Sequence, residues 1–125
     1  MTAPAILVAD DDPLVRVMLV RVASEMASEV VEVESGAEAI RALTGRSFDV
    51  LITDLRMPGA SGLEVLEACR AAQPACRMVL VSGYADDFAA AAASSAGATL
   101  LHKPFGASAL RELLGSLLSP PKSHE

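Results

Sequence analysis

Five side chains in this sequence could do chemistry together: Asp10, Asp11, Asp54, Ser82 and Lys103. Each is the first strongly polar residue, or nearly so, after a short apolar run. Ile6-Leu7-Val8-Ala9 precedes Asp10 and Asp11, Val50-Leu51-Ile52 precedes Asp54, Met78-Val79-Leu80-Val81 precedes Ser82, and Thr99-Leu100-Leu101 precedes Lys103. Brought to one place, the three carboxylates could not all stay ionised without a compensating charge, because like charges raise one another's pKa. A hard divalent cation is the natural counter-ion. Mg2+ takes carboxylate, carbonyl and water oxygens and pairs readily with phosphate. Lys103 adds a second, movable positive charge, and Ser82 a hydroxyl able to contact a phosphoryl oxygen. A carboxylate nucleophile beside Mg2+ and a lysine describes formation of an aspartyl phosphate, in which the cation screens the incoming group and the Asp attacks it. Singly, these residues read as turn caps, a turn serine and a solvated lysine; their joint position after successive strands is the signal.

The elements that must position them follow from the hydrophobic pattern. Ile6–Ala9 reads as a buried strand, and Asp12 as the N-cap of a helix with Pro13 at its first position. In that helix Leu14, Val15, Met18, Leu19, Val22 and Met26 share one face, and Val17 and Val20 fall on the other among Arg16, Arg21 and Ser24. Val30–Glu34 alternates and predicts an edge strand with one wet face. A helix over Gly36–Thr44 is closed by Gly45, the strand bearing Asp54 follows, and Pro58-Gly59 forces a turn before a helix over Gly62–Ala72. Met78–Val81 is another strand. Asp86-Asp87 opens an alanine-rich helix to Ser95, two acids suiting its N-terminal dipole. Thr99–Leu101 is the last strand. Leu110, Leu113, Leu114, Leu117 and Leu118 form the stripe of the final helix, which Ser119-Pro120-Pro121 ends. Strands alternating with helices five times predict parallel βαβ units with right-handed crossovers. All strands then end at one edge, and ligands bind there, where the strand order reverses.

Composition bounds the rest. At 125 residues the chain is expected to be one domain over 1–119, with a disordered tail over 120–125. Apolar residues make up 52% with no tryptophan, and the rings are Phe48, Tyr84, Phe88 and Phe105, so the core must be aliphatic. A net charge of −6, with Lys103 and Lys122 as the lysines, argues against a nucleic-acid surface, which needs clustered cations. The uncharged run from Phe88 to Leu101 falls short of the roughly 18 residues a bilayer needs, and the N-terminus lacks a secretory layout. Cys69 and Cys76 have neither metal-ligand spacing nor the look of a disulfide framework, and read as small hydrophobes in a reducing compartment. The expectation is a soluble cytoplasmic protein with no nucleic-acid or membrane partner.

Ile-Leu-Val-Ala-Asp-Asp-Asp-Pro from Ile6, Asp54-Leu-Arg-Met-Pro-Gly with Gly62, Val-Ser-Gly-Tyr from Val81 and His-Lys-Pro-Phe from His102 together resemble the receiver domain of two-component response regulators. The likeness runs from about Ala5 to Leu118, in the family's order and spacing. It implies a flavodoxin-like, CheY-like (βα)5 α/β fold, a doubly wound parallel sheet of order 2-1-3-4-5. It further implies that Asp54 accepts a phosphoryl group from a histidine kinase. Asp11 and Asp54 would bind Mg2+ directly with the backbone carbonyl of Arg56, and Asp10 mostly through water. Lys103 would pair with phosphoryl oxygens, Ser82 would move toward them as the switch, and the Lys103–Pro104 bond would be cis. The first helix, with its Val17 and Val20 patch, would dock on a sensor histidine kinase or a histidine phosphotransfer protein. Such a module catalyses only its own phosphotransfer and dephosphorylation, and acts on a downstream protein.

Two positions depart from the family pattern. Receivers commonly carry Tyr or Phe three residues before the lysine, where this chain has Leu100. The alanine-rich helix lacks charges between Asp87 and His102, so dimers built on charged pairs there are not matched. His102 reads as a strand-end residue, Met57 and Tyr84 as wall and loop residues, and Arg56 and Tyr84 flank the site as candidate regulators of phosphoryl lifetime. Two other functions compete. Asp10-Asp11-Asp12-Pro-Leu has the Asp-x-Asp spacing of haloacid-dehalogenase-type phosphatases, with Asp10 as nucleophile, but Asp86-Asp87 precedes Lys103 where that family's last acids follow the lysine. A phosphorylation-independent scaffold is the third reading, motivated by Leu100. The Ser-Gly-Tyr and His-Lys-Pro-Phe variants resemble receivers fused to hybrid kinases, which leaves both a stand-alone receiver and a piece of a larger kinase open.

Overall fold

Successive strand residues face opposite sides of a sheet, so a strand apolar at every position must be covered on both. The chain meets that demand in the computed structural model, which describes residues 4–83 and 87–118. The elements are β1 (Ala5–Ala9), α1 (Pro13–Met26), β2 (Glu29–Val33), α2 (Gly36–Gly45), β3 (Val50–Asp54), α3 (Gly62–Ala72), β4 (Arg77–Ser82), α4 (Asp87–Ala96), β5 (Thr99–His102) and α5 (Ala107–Leu118). The strands are all parallel, in the order β2-β1-β3-β4-β5. This is the expected doubly wound α/β sheet, reversing between β1 and β3.

Two aliphatic layers cover it. Ile6, Val8, Val50, Ile52, Val79 and Val81 pack with Leu19 and Val22 of α1 and Leu110 and Leu114 of α5. Their strand neighbours Leu7, Leu51 and Leu80 point the other way, onto Leu43, Leu66, Cys69 and the alanines of α4. Both cysteines are free, and both are buried among the hydrophobes of this layer. On the edge strand β2, Glu29 and Glu32 are the exposed positions.

Local chemistry sets the helix ends. The Asp12 carboxylate accepts from the amides of Leu14 and Val15, with Pro13 at the start of α1, as expected. Ser61 and Glu64 form a capping box at α3, and the Ser35 side chain caps α2. Gly97, at φ +78°, follows the last turn of α4 in the left-handed conformation that glycine tolerates. Gly62 starts α3 directly against β3, and a Cβ there would collide with the carbonyl of Asp54.

Two expectations for α1 are corrected. Leu14, placed by periodicity on the buried face, is 82% exposed, because the first turn of α1 stands beyond the strand ends. Val20, assigned to the outer face with Val17, is half-buried against the α1/α5 layer, while Val17 is 53% exposed. Tyr84, Asp86 and the 120–125 tail lie outside the described residues.

Candidate functional site

Parallel register assembles the site from distant segments. Ala9 lies beside Thr53, Asp54 beside Val81 and Ser82 beside His102. The residues after β1 and β5, and the last residues of β3 and β4, therefore meet at one rim. The Lys103 amide donates to the Ser82 carbonyl at 2.8 Å, which ties the end of β5 to that of β4. The Lys103–Pro104 peptide is cis.

The structure brings together all five predicted side chains. Carboxylate oxygens of Asp10, Asp11 and Asp54 lie within 4.8 Å of one another. Lys103 Nζ is 3.3 Å from Asp54 Oδ1 and 3.8 Å from Asp10 Oδ2. Asp54, Ser82 and Lys103 line a cleft of about 360 Å3 together with Leu55, Arg56 and Gly83. Asp10 sits beneath, fully buried, and Asp11 is exposed at the edge. Leu55, Arg56, Met57, Ser61 and Phe88 line a neighbouring hollow, which places Met57 as a wall residue. His102 ends β5, exposed, and Leu100 packs half-buried on the α4 side of the sheet.

The electrostatics are unbalanced. Burial pushes the Asp10 carboxyl up to about 6 from 3.8; the Asp12 amide opposes this and the neighbouring Asp54 charge adds to it. Asp54 is also raised, chiefly by burial, with Lys103 pulling the other way. The Lys103 ammonium lies within ion-pair reach of two of the three carboxylates, Asp54 and Asp10. Asp10 Oδ1 accepts from the Asp12 amide at 2.9 Å. Asp10 Oδ2 is buried without a hydrogen bond. An orphaned carboxylate oxygen, at the centre of hard oxygen donors with surplus negative charge, fits a divalent cation of the Mg2+ type.

One residue at this rim escaped the sequence reading. Arg16, expected on the outer face of α1, turns its side chain inward: Nη1 donates to the Asp10 carbonyl at 2.8 Å and Nε to Glu32 Oε1 at 3.1 Å. The available signal was a lone arginine one turn past the acids, with a glutamate at a wet position of the edge strand.

The response regulator receiver domain family matches this chain over residues 6–115. The chain belongs to that family. Its receiver is 35% identical over 99 residues to the DNA-binding transcriptional regulator NtrC of Escherichia coli, covering 78% of this chain and 21% of NtrC. It is 38% identical over 69 residues to the sensor protein GacS of Pseudomonas syringae, covering 55% of this chain and 8% of GacS. The chain thus spans about a fifth or less of the length of these curated relatives. Among solved structures, the chemotaxis response regulator CheY4 of Vibrio cholerae superposes with a TM-score of 0.84 at 26% identity, over 94% of this chain and all of that one (100%). The chain is accordingly a regulatory module of two-component signalling with a CheY-like fold. No helix among the described residues is long and apolar enough to cross a membrane.

Proposed function

We propose that Asp54 is the phosphoacceptor, taking a phosphoryl group from a phosphohistidine on a sensor kinase or phosphotransfer protein. The observation that carries this is the placement of Asp54 Oδ1 on the accessible cleft, 3.3 Å from Lys103 Nζ and lined also by Ser82. An Asp54 carboxylate oxygen forms the new P–O bond while the P–N bond of the donor breaks and its electron pair leaves on the imidazole. Lys103 Nζ already lies 3.3 Å from Asp54 Oδ1, so it is set to meet the added phosphoryl oxygens, and Ser82 lines the same cleft. Asp10, Asp11 and Asp54, with the Arg56 carbonyl, would hold Mg2+. Bound there, the cation would offset charge accumulating on the transferred group. The phosphoryl group adds about −1.5 to −2 charge, to which Ser82 and Lys103 respond, altering contact with a downstream protein.

The kinase-side surface is read as the first turns of α1 with the adjacent groove. Leu14 and Val17 are exposed there, beside a largely apolar hollow of about 430 Å3 lined by Val15, Met18, Pro104 and Phe105. Leu14 replaces Val20 in the expected patch. The reading gives no role to Asp10 as a nucleophile, since its carboxylate lies below the cleft and is held by the Asp12 amide.

Radiolabel transfer from candidate kinases tests the proposal. Label should appear on the wild-type chain in the presence of Mg2+ and be lost in Asp54→Asn. Label retained by that variant, or mapped to Asp10 after borohydride trapping, would overturn it. Leu100 supports a second reading, a scaffold that does not switch. NMR shifts on adding beryllofluoride that stay within the site loops would favour it.

A further inference from the structure

We propose that Arg16 is a positioning residue for the metal-binding loop, and that Glu32 holds it in that role. The proposal rests on the reading of Asp10, Asp11 and Asp54 as Mg2+ ligands. Every polar group of Asp10 except one is held by a hydrogen bond, the exception being Oδ2, which has only the Lys103 ammonium 3.8 Å away. Its amide donates to the Val33 carbonyl at 3.2 Å, its carbonyl accepts from Arg16 Nη1 at 2.8 Å, and its Oδ1 accepts from the Asp12 amide at 2.9 Å. Oδ2 alone has no hydrogen bond. The loop that carries Asp11 is pinned at the same point, because Arg16 grips the carbonyl of the Asp10–Asp11 peptide itself.

A guanidinium this close to Asp10 would ordinarily form a two-pronged pair with a carboxylate of the cluster and compete with a metal. Arg16 does not. Its planar fork is shared between a backbone carbonyl and Glu32 Oε1, 3.1 Å from Nε. Glu32 lies on the face of β2 that looks toward α1, and its side chain is 52% exposed against 15% for Arg16. Glu32 thus draws the fork outward, away from Asp10 Oδ2, and leaves that oxygen for the cation. A lysine could not serve both acceptors from one rigid plane.

Calorimetric titration of the full chain with Mg2+, paired with thermal unfolding in EDTA, separates this role from a purely structural one. Removing a partner that orients metal ligands weakens metal binding about tenfold or more, which is the expectation for Arg16→Ala and Arg16→Lys. Glu32→Ala, at a more exposed pair, should weaken it about threefold. The control is Glu29→Ala, which breaks the Arg46–Glu29 pair at the far end of the same strand and should leave Mg2+ affinity unchanged. Wild-type affinity in both Arg16→Lys and Glu32→Ala overturns the proposal, as does equal weakening by Glu29→Ala. If Arg16→Ala does not fold, those two variants still decide. Failure of the unaltered protein to bind Mg2+ overturns the metal reading and this proposal with it, whereas wild-type binding with indifferent variants overturns this proposal alone.

Discussion

Asp10 shows how far folding and function diverge at a single residue. Its folded-state carboxyl is raised to about 6 from 3.8, first by burial and then by Asp54. A raised acid holds its proton more tightly folded than unfolded, so the stability linked to it is complete below about pH 4 and lost as pH climbs through about 6. In EDTA, Asp10→Asn should match wild type near pH 4 and exceed it by on the order of 2–3 kcal/mol at pH 7, measured by urea unfolding. No growth of that gap with pH would show that the site tolerates its charge without a cation. The five chemical residues were legible because each follows an apolar strand, and parallel strands end together. Arg16 was not, because the acceptors a long guanidinium selects depend on which distant segments, here β2, come to lie beside its helix.

At the scale of elements, β3 and α3 are joined without slack at Gly62, where any Cβ meets the Asp54 carbonyl. Gly62→Ala should therefore cost about 2–4 kcal/mol in unfolding free energy and shift the NMR resonances of Asp54. An unperturbed site would mean that the loop absorbs the methyl elsewhere. Helix α1 presents a different case. Exchanging Leu14 and Val17 for serine removes exposed apolar surface and should leave the melting temperature within about 2 °C, since surface changes usually cost under about 0.5 kcal/mol. The same double variant should slow phosphotransfer from the kinase about tenfold, while phosphorylation by a small phosphodonor continues at the wild-type rate. Equal slowing with both donors would place these residues in the site rather than on a docking face. Helix existence and bounds were readable from capping residues and apolar period. The exposure of Leu14 was not, because a 3.6-residue repeat says which side of a helix is apolar but not where the sheet beneath it stops.

Across the whole molecule, the α/β class and the parallel sheet follow from five strand–helix alternations, whereas the strand order came from resemblance, since alternation alone admits several windings. The two aliphatic layers draw on alternate residues of the same strands and share no side chain. Val22→Ala in one layer and Val65→Ala in the other should each destabilise by about 1–3 kcal/mol, and the double variant by their sum within about 0.5 kcal/mol. A larger discrepancy in urea midpoints would mean that the sheet transmits packing changes from one side to the other. This separation makes the sheet a partition between two insulated compartments. Among the described residues no hydrophobic side chain belongs to both layers, so a disturbance that begins where α1 meets a visitor finds no shared core residue to carry it to α4. The rim where Asp54, Ser82 and Lys103 meet offers a route around the sheet, so whatever sits in that gap is placed to act as a junction between its two sides.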